Sequence, residues 1–91
     1  SIMTAEQLLL IAREFCAQHK TTVTNFGALV AAASVSSARI DGIPVHANRQ
    51  QAAQAMQQIL VAYPALNKHN RAFAALSARV FMETESRLSL R

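Results

Sequence analysis

The sequence predicts an all-α domain of about four helices. Hydrophobic residues make up 52% of the 91 residues, aromatic residues make up only 5%, and two glycines and two prolines are the only strong helix breakers. Much of the apolar content is alanine, the strongest helix former. A chain of this length forms one domain with a modest core. We expect that domain to span residues 3–91, with Ser1 and Ile2 as an expression scar.

Charge and cysteine content narrow the functional classes only a little. The formal net charge of +4 permits contact with nucleic acid, phosphate ligands or an acidic protein, and it also fits an ordinary basic surface. Cys16 is the only cysteine, so this chain forms no internal disulfide, and its helical setting predicts packing rather than nucleophilic chemistry. No apolar run approaches the roughly 18–20 residues that span a bilayer. These features favour a cytoplasmic protein with no membrane contact.

Two helices are predicted in the first half of the chain. Thr4 is the expected N-cap of the first, with Gln7 at the capping-box distance. The polar and β-branched run over residues 20–25 closes this helix, and residues 26–37 form the second. The apolar face of the first helix carries Leu8, Ile11, Phe15 and His19.

Residues 29–40 also resemble a helix-turn-helix. Ser34 lies where such motifs often have glycine, and residues 35–37 resemble the start of a recognition helix. Arg39 is the only charged side chain in that second helix, and the turn signal Asp41-Gly42 ends it quickly. A helix-turn-helix DNA-binding protein is therefore the weaker alternative.

Residues 38–46 alternate well enough to predict a short flap hairpin. Asp41-Gly42 between two isoleucines is a hairpin signal. Pro44 is acceptable only on an edge strand. Asn48 is then the expected N-cap of the next helix.

Residues 50–83 are the stretch around which the chain is organised. They are predicted to form a helix that ends before Pro64, a polar loop and a second helix. Ile59 and Leu76 are placed in the core, and the short connection predicts that the two helices pack together. The apolar positions are Ala52, Ala53, Met56, Ile59, Leu60 and Tyr63 in the first helix and Phe73, Leu76, Val80 and Phe81 in the second.

The loop between these helices is the candidate binding site. Asn67 is the expected N-cap of the last helix. A cationic loop that enters a helix N-terminus attracts anions, because free backbone N–H groups point there. The predicted phosphate-binding residues are Lys68, His69, Asn70 and Arg71.

Residues 63–71, YPALNKHNR, resemble a degenerate copy of the Fic/Doc (death-on-curing) motif H-P-F-x-[D/E]-G-N-K-R. Residues 4–8, TAEQL, resemble the opening T-x-E-x-L of that family, and residues 26–29 followed by 41–42 resemble a Doc-type stretch. The helices before and after the motif stand at similar distances from it. The resemblance covers residues 4–82, and it implies a small helical bacterial domain.

Active members of the Fic/Doc family transfer AMP, or phosphate in the Doc branch, from a Mg²⁺-bound nucleotide to a hydroxyl of a target protein. Doc itself is a toxin that modifies elongation factor Tu and is paired with an antitoxin. The resemblance therefore implies a toxin-antitoxin origin and a protein partner, either an antitoxin or a target. ATP and Mg²⁺ are implied only if the transferase chemistry is retained.

Most of the family's catalytic residues do not carry over. Tyr63 stands at the position of the histidine base, and a phenol titrates near pH 10, too high for a base at neutral pH. Asn67 stands at the metal-ligand position with a neutral oxygen, and only Arg71 is retained. The other replaced positions are Ala65, Lys68 and His69. The prediction is a binding or regulatory module without transferase activity, and a diverged transferase with His69 as surrogate base is the alternative.

Overall fold

The prediction of an all-α domain with about four helices is confirmed. The computed structural model describes residues 3–37, 39–40, 43–44 and 48–89. Within these ranges the elements are α1 (Ala5–His19), α2 (Phe26–Ser36), β1 (Arg39–Ile40), β2 (Ile43–Pro44), α3 (Arg49–Ala62) and α4 (Asn70–Ser89).

Helix α1 begins and ends at the predicted signals. The Thr4 side chain accepts a hydrogen bond from the Gln7 N–H at 3.1 Å, and the Gln7 side chain accepts one from the Thr4 N–H at 2.9 Å. This capping box satisfies two backbone donors that would otherwise lack partners. Lys20 closes the helix in the left-handed conformation, with φ of 53°. His19 lies in the last turn of α1 and is exposed, so its placement on the apolar face was wrong.

Helices α2 and α3 are capped by asparagine. The side-chain oxygen of Asn25 accepts from the Ala28 N–H at 3.3 Å, and that of Asn48 accepts from the Gln51 N–H at 2.9 Å. Helix α3 ends at Ala62 because the next residue precedes Pro64 and is pushed out of helical geometry. The predicted cap at residue 48 and the stop at the proline are both confirmed.

The predicted flap hairpin is present in the described residues. Strand β1 pairs antiparallel with β2, with Arg39 opposite Pro44 and Ile40 opposite Ile43. Its expected turn, residues 41–42, lies outside the described ranges.

The helix-turn-helix that was the weaker alternative for residues 29–40 is not formed. Helix α2 runs unbroken from Phe26 to Ser36, so there is no turn where that motif requires one. Residues 39–40, which would belong to the recognition helix, are extended. The internal hydrogen bonds of a continuous helix outweigh the weak turn preference of one serine.

The core lies between all four helices, and α3 packs most extensively on α4 and then on α2. The packing of α3 on α4 was predicted from their apolar faces and short connection, and it is confirmed. The largest completely buried apolar side chains are Leu8, Leu29, Met56, Leu60 and Phe73.

Several residues of the predicted apolar stripes are less buried than expected. Ile59, Leu76 and Val80 pack against the core but are only partly buried, whereas Leu60, next to Ile59 in α3, is fully buried. Tyr63 is 60% exposed, so its placement on the α3 stripe was wrong. The backbone leaves helical geometry at that residue, with φ of −122° and ψ of 88°, and this turns the side chain off the stripe.

Helix α4 is the longest, with 20 residues. Its buried side carries Phe73, Ala74, Ser77 and Phe81. The Ser77 hydroxyl is fully buried and has no hydrogen-bond partner among the described residues, which therefore do not offset the cost of removing it from water. Among the described helices, neither α4 nor any other combines the length and apolarity needed to cross a bilayer.

Cys16 packs as predicted. The side chain is partly buried and lies against the core. Desolvation by burial raises the pKa of its thiol, which lowers the fraction of the reactive thiolate at neutral pH.

Candidate functional site

The connection between α3 and α4 is held against the connection between α1 and α2. The N–H groups of Thr24 and Asn25 donate to the Ala65 carbonyl at 2.8 and 3.1 Å, and Val23 forms an antiparallel bridge with Leu66. These bonds form a short ladder between two loops that are distant in sequence. The ladder fixes the backbone of the candidate site before it enters α4.

Asn67 extends this ladder by one residue and makes the largest number of its side-chain hydrogen bonds. Its side-chain oxygen accepts hydrogen bonds from the Thr22 N–H at 2.9 Å and from the Thr21 hydroxyl. Its own N–H donates to the Thr22 carbonyl at 3.1 Å. A carbonyl oxygen has two lone pairs, and both are used here. Asn67 therefore joins the two loops.

The prediction that Asn67 caps the last helix was wrong. Helix α4 begins at Asn70, and the carbonyl that receives its first hydrogen bond belongs to His69, from the Phe73 N–H at 3.0 Å. His69 adopts a positive φ of 64°, which turns the chain from the ladder into the helix. The asparagine side chain has stronger partners across the fold than the start of the helix provides.

The Asn70 side chain is also used within the loop. Its oxygen accepts from the Leu66 N–H and its nitrogen donates to the Leu66 carbonyl, both at 2.9 Å. This two-way pairing satisfies both backbone groups of a residue that is only 2% exposed. Of the four predicted phosphate-binding residues, Asn70 is thus the one whose side chain is committed to structure.

The other three predicted phosphate-binding residues, Lys68, His69 and Arg71, are exposed. They lie at the start of α4, where Asn70, Arg71 and Ala72 have backbone N–H groups with no acceptor in the described part of the chain. Between Glu14 and Glu83 the sequence contains one carboxylate, at Asp41. The positive charge at this end of α4 is therefore not neutralised by an acidic neighbour along the chain.

His69 lies close to a second histidine at the end of α1. Its ring centroid is 6.1 Å from that of His19, and the His19 ring stacks on Phe15 at 4.2 Å. Both histidines are exposed. The two rings add donor capacity to the cationic end of the molecule, and the stacking limits the orientation of one of them.

Neither candidate base is set up for proton abstraction. The Tyr63 side chain is 60% exposed, and the described residues provide it with no hydrogen-bond partner. The His69 side chain likewise has no carboxylate or carbonyl that would orient its ring among the described residues. A general base needs a side chain that is oriented toward the proton it removes, and the described residues orient neither of these two side chains.

The residues of the loop do not fit a Mg²⁺-bound nucleotide. The oxygen of Asn67, at the position that the Fic/Doc resemblance would assign to the metal ligand, already accepts hydrogen bonds from Thr21 and Thr22 and carries no charge. Mg²⁺ is normally bound by carboxylates together with phosphate and water. In the described ranges no group of three or more His, Cys, Asp or Glu side chains could hold a metal ion.

No protein-family model, curated protein or solved structure matches the chain.

Sequence reasoning missed the partners of Asn67. Thr21 and Thr22 lie in a run of β-branched residues, TTVT, which we read only as the end of α1. Such residues favour extended backbone, and two extended loops of matching length can pair. That signal was present, but it did not identify which loop would be the partner.

Proposed function

We propose that this protein is a Fic/Doc-like helical module that binds anionic groups and does not transfer AMP or phosphate. The observation that carries the proposal is the commitment of the Asn67 oxygen to Thr21 and Thr22. The position that would hold the metal in an active family member instead joins two loops. What remains at the start of α4 is a set of exposed cations and free N–H groups, which attract anions.

The proposed binding uses charge and backbone donors together. Lys68 and Arg71 supply positive charge, and Arg71 can bind a phosphate through two parallel hydrogen bonds. The N-terminal end of α4 adds a partial positive charge that falls off within the first turn. Because the site is exposed, we expect the affinity to be low and to fall with ionic strength.

Arg71→Ala should strongly weaken binding of phosphate, pyrophosphate or ATP, measured by calorimetric or NMR titration with and without Mg²⁺. Arg79→Ala is the matched control, because it removes the same charge from an exposed position two turns further along α4. We expect the control to bind as the parent does, and Mg²⁺ to change the affinity little. Equal affinity in the two variants and the parent would mean that the loop is only a solvated surface.

The unmodified protein should transfer no AMP or phosphate to itself or to elongation factor Tu, measured with radiolabelled ATP. Loss of a general base alone typically reduces a rate by a factor of about 10²–10⁴. Tyr63→His should not restore transfer, because the oxygen of Asn67 stays bound to the threonines. Transfer by the parent that disappears in His69→Ala would instead establish the diverged transferase.

A further inference from the structure

Helix α2 presents an outer face that is exposed but uncharged. Its sequence, FGALVAAASVS, contains no charged side chain. Phe26 and Val30, one turn apart, are 48% and 42% exposed, and Gly27 and Ala31 lie beside them on the solvent side. A surface helix normally carries charged residues on this side, whereas a helix that is apolar all round is normally covered.

A shallow cavity of about 230 Å³ adjoins this face. It is lined by Asn25, Gly27, Ala28, Ala31 and Tyr63. The small residues at the floor permit close approach of another backbone, and the exposed ring of Tyr63 forms one side. An exposed aromatic ring beside a small-residue floor is the type of anchor that dominates binding energy in protein interfaces.

The charges near this face favour an acidic occupant over a second copy of the chain. The loop ladder runs from the side of Tyr63 and Asn25 to Lys20 and Lys68, both of which are exposed. Between Glu14 and Glu83 the sequence has one carboxylate, so the same part of a second copy would offer these lysines few opposite charges. Like charges across an interface oppose association, and opposite charges favour it.

The reach from Tyr63 to Lys68 is compatible with a partner helix of a few turns. At about 3.3 Å per extended residue, the five steps from Tyr63 to Lys68 reach at most about 16 Å. That length is close to three helical turns of about 5.4 Å each. A helix that places apolar residues on α2 can therefore bring carboxylates near the two lysines within about three turns.

We propose that the outer face of α2, together with Tyr63, docks an acidic amphipathic helix of a partner protein. Apolar side chains of that helix cover Phe26, Val30 and Tyr63, and its carboxylates face Lys20 and Lys68. This surface shares Lys68 with the anion site at the start of α4, but Phe26, Val30 and Tyr63 are not part of that site, so the docking of the helix does not rest on the proposed function.

The test uses the full chain and a fluorescent synthetic peptide of about 18 residues made of Leu, Ala and Glu, with leucines at i, i+3, i+4 and i+7. We expect saturable binding by fluorescence anisotropy. Phe26→Ala and Tyr63→Ala should each weaken it by about fivefold or more. Leu10→Ala is the matched control, because it truncates an apolar side chain that is 64% exposed on another helix. That control should bind the peptide as the parent does.

A lysine variant and a scrambled peptide distinguish the proposed docking from nonspecific binding and from self-association. Lys20→Gln should weaken binding and reduce its salt dependence, and a peptide of the same composition with scrambled leucines should not bind. The two aromatic variants should still bind phosphate, whereas Arg71→Ala should still bind the peptide. Absence of peptide binding, equal binding of the scrambled peptide, or a dimer seen by light scattering and lost in Phe26→Ala would each overturn the proposal.

Discussion

Phe73→Ala is expected to lower the free energy of unfolding by about 3–5 kcal/mol. The Phe73 side chain is fully buried at the first turn of α4, and its ring centroid lies 5.6 Å from that of Phe15 on α1. Truncation removes the favourable free energy of burying the phenyl ring, and it leaves a cavity that the neighbouring helices fill only partly. It also removes a favourable tilted contact between two aromatic rings.

Phe26→Ala is the control for this measurement. It removes the same side chain, but Phe26 is 48% exposed at the start of α2, so we expect a change within about 1 kcal/mol. Urea unfolding followed by circular dichroism gives both values. Similar losses in the two variants would contradict the burial described for α4. Since small domains are stable by only about 5–15 kcal/mol, Phe73→Ala can leave little folded protein.

Asn67→Ala is expected to cost about 1–3 kcal/mol of stability. It removes the oxygen that accepts from the Thr22 N–H and the Thr21 hydroxyl, and Thr21 is only 6% exposed. The buried hydroxyl would keep only the longer contact to the Lys68 carbonyl at 3.3 Å. The two loops would then be held mainly by the backbone bonds of the ladder.

Asn67→Asp is the matched control, because it keeps an acceptor oxygen facing the same two donors. We expect its thermal unfolding midpoint to stay near that of the parent and to be insensitive to Mg²⁺. Asn48→Ala is a reference for the comparison, because it removes only the N-cap of α3 and should lower the free energy of unfolding by about 1 kcal/mol. If Asn67→Ala were as stable as the parent, or if Mg²⁺ stabilised Asn67→Asp, the structural role assigned to this residue would be wrong.

The sequence predicted the position of the loop more accurately than the roles of its two asparagines. The sequence identified the loop over residues 63–71 and its polar side chains Lys68, His69 and Arg71, which are exposed. It assigned Asn67 to a helix cap and Asn70 to ligand binding, and the structure uses both side chains for other purposes. An asparagine accepts and donates equally well to several partners, so its role depends on which backbone groups come within reach.

Local signals were sufficient for the start of α1, for both ends of α3 and for the hairpin, but not for the start of α4. The Thr4 capping box, the Asn48 cap and the stop before Pro64 depend on atoms within four residues of each other, so the amino-acid sequence alone determines them. The same is true of the pairing of β1 with β2, whose strands are separated by two residues.

Tertiary packing decided the features that depend on distant partners. Asn67 is bound to residues 45 and 46 positions earlier in the chain, and no local rule selects that pair. The difference between the buried Leu60 and the partly buried Ile59 depends on which side of α3 faces α4. The exposure of Tyr63 follows from the turn out of α3. In each case the side chain's environment is set by the arrangement of the helices, which a periodic pattern limits but does not specify.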